Sequence, residues 1–289
     1  FLKGSNATLR DNVISGNTAS NGGGVQLDHS PATLLGNIIE SNTADQAGGI
    51  SVSLSAAVLM DNHISGNTAD YGGGLVLWRS SATVSRNTVS GNTANEAGGG
   101  VQVRESDAIL HDNTISENVA HGWGGGGLYV DHAAPMLANS IIADNQAASG
   151  SGLLIWDSSP VMLHTTIARN SGGDGRGVYV TGDSSITLFN TILVGHSLGI
   201  WVEWGSIASL DATLWANGTD WSGSGIITTA NDLWGDPAFV DPVDGDYHIS
   251  LGSAAIDAGG DAGVYVDIDG QTRPYGADFD IGADEWVPE

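Results

Sequence analysis

The sequence predicts an all-β fold, a right-handed parallel β-helix: a three-strand solenoid of about nine coils with an irregular C-terminal cap. A glycine-led strand returns eight times, each copy opening after Gly24, Gly49, Gly74, Gly100, Gly127, Gly152, Gly177 or Gly199. The steps between these glycines are 25, 25, 26, 27, 25, 25 and 22 residues. A second element, NVISGNTA at Asn12, returns in phase at Asn37, Asn62, Asn87 and Asn113, with weaker copies at Ser140, Thr165 and Asn190. An apolar residue stands three places before most of these positions, from Leu9 through Leu34 and Leu59 to Met162. Each repeat thus holds three short apolar runs separated by turn residues. Such runs read as strands, and none is long enough for a helix.

Stacked coils bury what a single coil cannot, so equivalent residues form columns spaced ~4.8 Å apart. One predicted column runs from Val25 through Ile50 and Leu75 to Ile200, and a second from Leu27 through Val52 and Leu77 to Val202. A third runs from Ile14 through Ile39 and Ile64 to Ile192 and Leu214. The asparagines at 17, 42, 67, 92, 118, 145 and 170 form an internal ladder of stacked amides.

The repeat fades near Asn217, which divides the chain into a β-helix over 1–217 and a capping module over 218–289. In the second part Trp215, at the junction, Trp221, Trp234 and Phe239 are placed to cover the last coil. The first residues match the second half of a coil, with Leu9 and Asn12 where Leu34 and Asn37 stand one repeat later. The expectation is that the sequence is an excerpt of a longer protein.

The chain has 8 Lys and Arg against 33 Asp and Glu, a formal charge of −25, and no cysteine. That charge excludes a nucleic-acid partner, which requires a basic footprint. It also disfavours anionic membranes and anionic polysaccharides without a bridging cation. No apolar stretch is long enough to form a transmembrane segment.

The GG(G)-strand and NTxSxNTA repeats resemble those of the polymorphic outer-membrane-protein class of β-helix. DPAFVDP, GDYHI, GSAAIDAG, DIDGQTRP and DIGADEW, between Asp236 and Trp286, resemble the C-terminal choice-of-anchor module of bacterial secreted β-helix proteins. These resemblances imply export, an extracellular or cell-surface location and attachment to that surface. They do not imply one activity.

Function is sought on the outward positions of the glycine-led strands, which alternate with the buried columns. They include Trp78, Tyr129, Trp156, Tyr179 and Trp201 where small polar residues would be ordinary. A row of aromatics interleaved with carboxylates suits a polysaccharide, because sugars offer C–H faces for stacking and hydroxyls for hydrogen bonds. The competing explanation is that a loop covers the strip. A catalytic alternative, a polysaccharide lyase or a glycoside hydrolase, draws on Arg104, Asp131, His132, Asp157 and Glu203 beside the same strands. Carboxylates one coil apart approach the ~5 Å of a retaining glycosidase. No motif of pectate lyases, polygalacturonases or alginate epimerases is present. A third possibility is a structural surface fibre or adhesin, built by pairing of open coil edges. Asp267 and Asp269 in VDIDGQ resemble part of a calcium loop, without the full EF-hand spacing, and are candidate Ca²⁺ ligands; the competing role is an Asx turn.

Overall fold

The computed structural model describes residues 1–288 and shows a parallel β-solenoid of about nine coils with no helix among them. Each regular coil carries four short strands, not three. In one coil these are Val25–Asp28, Thr33–Leu35, Ile38–Glu40 and Thr43–Gln46. The glycine-led strands stack into a ten-stranded sheet, the two middle strands of each coil into an eighteen-stranded sheet, and the fourth into a six-stranded sheet. The fourth strand escaped the apolar pattern because it turns only an alanine inward, as at Ala69 and Ala94.

The first two columns are realised residue for residue, with Leu75 paired to Val101 and Ile50, and Leu77 to Val103 and Val52. The third holds from Ile14 to Ile167 and then departs from expectation. Ile167 pairs with Leu193, and Leu193 with Trp215, so Ile192 and Leu214 leave the column. Asn190 is not the repeat asparagine. It takes the left-handed corner (φ 53°) that His164 takes one coil earlier (φ 47°). The five-residue step from Met162 to Ile167 recurs from Leu188 to Leu193, which fixes the true register.

Polar ladders run beside the apolar columns. In the predicted one, Asn67 Nδ2 donates to Asn92 Oδ1 (2.9 Å) and Asn92 Nδ2 to Asn118 Oδ1 (3.0 Å). It continues past Asn170 into His196 and Asn217. A second amide ladder joins Asn12, Asn37, Asn62, Asn87 and Asn113. The glycine ahead of each strand follows from this packing. A Cβ on Gly24 would fall 2.7 Å from Ile39 Cγ2, 2.8 Å from the Gly49 carbonyl and 3.0 Å from Asn42 Nδ2.

Parallel pairing runs on past residue 217. Thr219–Gly223 extends the ten-stranded sheet, and Ile226–Ala230 and Leu233–Trp234 extend the eighteen-stranded one. Trp215 is fully buried, and Trp221 and Trp234 step away from it with ring centroids 5.4 and 6.2 Å apart. The segment after Gly235 does not lie across the end of the solenoid. It packs on the outer flank, where Tyr247, Ile249, Ala255 and Ile281 meet Ile141, Ala168, Ile192 and Leu214. Ile192 and Leu214 are buried against this tail, while Trp234 and Ile226 at the last coil stay exposed. Arg273, the one Lys or Arg after Asn217, is fully buried with Glu285 (3.3 Å) and pins the tail's own turns.

Candidate functional site

The outward residues of the ten-stranded sheet fall into two rows. One runs Asp28, Ser53, Trp78, Arg104, Asp131, Trp156, Thr181; the other runs Gln26, Ser51, Val76, Gln102, Tyr129, Leu154, Tyr179, Trp201. The five predicted aromatics therefore do not share one line: Trp78 and Trp156 lie in the first row, and Tyr129, Tyr179 and Trp201 in the second.

Over the first five coils these rows floor a groove of about 630 Å³. Trp78 and Tyr129 reach it, together with Gln26, Ser51, Gln102 and Arg104. One wall is raised by Asn21, Gln46, Tyr71 and Trp123, which precede the glycine-led strands. Tyr71 and Trp123 were missed in the sequence. Tyr71 ends the weak fourth strand, and Trp123 sits in the repeat whose 27-residue step is the longest. That insertion was the available signal. Trp123 is 62% exposed.

The strip is partly covered, by neighbouring coils and not by the tail. Tyr129 is only 6% exposed, packed with Leu154, Ala97 and Tyr71. Burial pushes its phenol up to about 12. Farther along, Arg176 lies over the rings of both Tyr179 (4.6 Å) and Trp201 (4.4 Å), so these faces are occupied. Arg79 similarly lies over Trp78 (4.9 Å). Trp156, 43% exposed, stands beyond the groove.

A family model described as "Right handed beta helix region" matches residues 1–171 and 73–213. The chain belongs to the right-handed β-helix family. None of the curated proteins matches it. Among solved structures it is similar to one described as "Crystal structure of pectate lyase Pel9A", at 11% identity and a TM-score of 0.58, over 97% of this chain and 87% of that one. At that identity the likeness concerns the fold.

Four of the five catalytic candidates in this β-helix come together. Arg104 Nε lies 3.2 Å from Asp131, His132 Nδ1 2.5 Å from Asp131, and His132 Nε2 3.0 Å from Asp157. The hydrogen bond to Asp131 raises the His132 pKa. Arg79 and Glu105 (2.6 Å) prolong the chain of charges along the same corner, and Arg79 holds the Glu105 carboxyl below its usual range. The fifth candidate, Glu203, stands apart. Its oxygens accept hydrogen bonds from Thr181 Oγ1 and Tyr179 Oη, which lower its pKa.

Asp267 is buried, and its oxygens accept the amides of Asp269 (3.0 Å), Gln271 (2.7 Å) and Glu285 (3.2 Å). The bonds to Asp269 and Gln271 are local, of the Asx-turn kind, and the Glu285 amide comes from later in the tail. Asp269 instead faces His248 Nε2 (2.9 Å).

Proposed function

We propose that this β-helix binds a polysaccharide lengthwise in the groove over its first five coils, as an extracellular or cell-surface protein. The observation that carries the reading is the lining of that groove: the rings of Tyr71 and the exposed Trp123, with Arg79-covered Trp78 and the largely buried Tyr129 beside them, around amides and hydroxyls. Amides satisfy sugar hydroxyls and ring faces take their C–H faces. The fold likeness to a pectate lyase is in keeping with a carbohydrate ligand. The ligand we favour is uncharged. Arg104, the basic residue in the lining, is already paired with Asp131, while Asp28 and Glu105 add negative charge. A uronate chain would meet no free cation there.

Binding is favoured over lyase or hydrolase chemistry by the state of His132. Both ring nitrogens are engaged, by Asp131 and by Asp157, so a proton transfer to or from a substrate would first have to break the exposed contact with Asp157. Asp131 and Asp157 are bridged by this ring in place of flanking a glycosidic bond.

A glycan array followed by calorimetry tests the reading. Trp123→Ala should weaken binding of the captured oligosaccharide roughly thirtyfold, the loss of a ~2 kcal/mol contact. Trp201→Ala, whose ring face Arg176 already covers, should change affinity less than about twofold. No capture of any neutral glycan, or equal losses in both variants, would refute this site.

A further inference from the structure

We propose that His248, Asp269 and Asp284 in the tail bind one divalent transition-metal ion of the zinc class. The three residues come from separate segments. His248 lies on the strand Asp246–Ile249, Asp269 in the turn of the VDIDGQ segment, and Asp284 near the end of the described chain. Each offers a ligand atom, and the three atoms lie within 4.8 Å of one another. An imidazole nitrogen with two carboxylate oxygens is a donor set for Zn²⁺, which takes nitrogen and oxygen ligands at about 2.0–2.2 Å.

Two further observations point to a cation. Asp284 is only 6% exposed. One of its oxygens accepts the Ile249 amide (2.7 Å), and no donor among the described residues reaches the other. A buried carboxylate needs a counter-charge. Arg273 makes no hydrogen bond to it: the bonds of its Nη atoms go to Glu285, to the carbonyls of Asp280 and Gly282 and to His164, and its Nε has no partner among the described residues. The second observation is outside the ligand set. Asp246 Oδ1 sits 2.6 Å from His248 Nδ1. A carboxylate there fixes the tautomer that leaves Nε2 as the ligand atom, the usual support for a metal-bound histidine.

Calcium fits less well. It takes six to eight oxygens, whereas one of these three donors is nitrogen, and the calcium-like Asp267 is turned to backbone amides. The rival is that His248 is itself the cation, an imidazolium between Asp246 and Asp269.

The test is calorimetric titration of the chelator-treated full chain with Zn²⁺ at pH 7, with thermal melts alongside. One saturable equivalent of micromolar or tighter affinity is expected, undisplaced by a hundredfold excess of Ca²⁺. Asp269→Asn, at an exposed position, should weaken it at least tenfold while leaving the metal-free melt unchanged. Asp246→Asn should weaken it roughly ten- to a hundredfold by loosening His248, whose ring and backbone amide both contact Asp246 Oδ1. Absence of saturable Zn²⁺ uptake overturns the proposal in favour of the imidazolium. Uptake unchanged in Asp269→Asn and in His248→Ala assigns the ion to another site, and Ca²⁺ displacing Zn²⁺ overturns the metal class.

Discussion

Replacing Asn92 by alanine tests how much of the solenoid rests on its amide ladder. Asn92 is fully buried. Its Oδ1 accepts the backbone amide of Asn67 (3.0 Å) and the Asn67 side-chain amide (2.9 Å). Its Nδ2 donates to the Ile64 carbonyl (2.9 Å) and to Asn118 Oδ1 (3.0 Å). Alanine removes all four bonds, but their losses are unequal. Asn67 Nδ2 keeps the Ile39 carbonyl, and Asn118 Oδ1 keeps the Asn92 backbone amide. The Asn67 backbone amide keeps no hydrogen bond among the described residues. Leaving one buried donor unmade costs about 1–3 kcal/mol, and the other bonds are worth about 0.5–1.5 kcal/mol each. The sum is roughly 5 kcal/mol. At the ~2 °C per kcal/mol expected of a long domain, the melting temperature falls by about 10 °C. The assay is circular dichroism with temperature. The control is Asn95→Ala, the same change three residues on, where the exposed amide reaches only Asp70 (2.8 Å). It should cost less than about 0.5 kcal/mol. Equal melts for the two variants would show that the ladder is ornamental and that the apolar columns alone fix the register.

Leu77→Asp puts an unpaired charge in a fully buried column and should cost several kcal/mol; a melt matching the parent would overturn the inward assignment. Deleting residues 236–289 uncovers Ile141, Ile192, Val194 and Leu214 on the flank and should cause aggregation, read by light scattering. A soluble monomer with the parental melt would refute the tail's packing role. His196 replaces asparagine in the ladder and is buried and neutral, its pKa lowered from 6.5 to about 4 by desolvation. Because the folded pKa is the lower one, its contribution is full above pH ~6.5 and is lost as pH falls toward 4, at roughly 1.4 kcal/mol per pH unit. Denaturant melts of His196→Asn should show a shallower loss over that window. His164, also depressed, to about 3, adds to the slope in the same direction, and Asp280, raised to about 6 by burial, opposes it; an unchanged slope would refute the assignment.

The architecture was legible because it is repetitive. Each inward position is repeated across coils, so one ambiguous residue is outvoted by its column. The reading failed where the repeat changed length. Asn190 matched the asparagine motif by type while belonging to the corner, and the apolar spacing from Leu188 to Leu193 was the sounder guide. The tail had no period to read, so its docking on the flank through Tyr247, Ile249 and Ile281 was invisible. Alternation correctly told which residues point outward, but not which are covered afterwards. Tyr129 and Leu154 point outward and are nonetheless buried, because Ala97 and Tyr71 lean over them from the adjoining turn.

The groove's position follows from the same geometry. A single flat sheet offers no concavity, so a second surface must rise beside it. The turns bearing Gln46, Tyr71 and Trp123 supply that wall over the first five coils. The six-stranded sheet that supports this side ends at Gln146–Ala147, and beyond it Arg176 closes over Tyr179 and Trp201. On the opposite edge, Arg79, Glu105, Arg104, Asp131, His132 and Asp157 alternate in sign from coil to coil. That alternation uses the cations of this edge on neighbouring carboxylates. In a chain of charge −25, the groove edge is thereby left nearly balanced. An anionic polymer finds no unpaired positive charge along it, whereas an uncharged one meets hydroxyls, amides and ring faces at the ~4.8 Å interval of the coils.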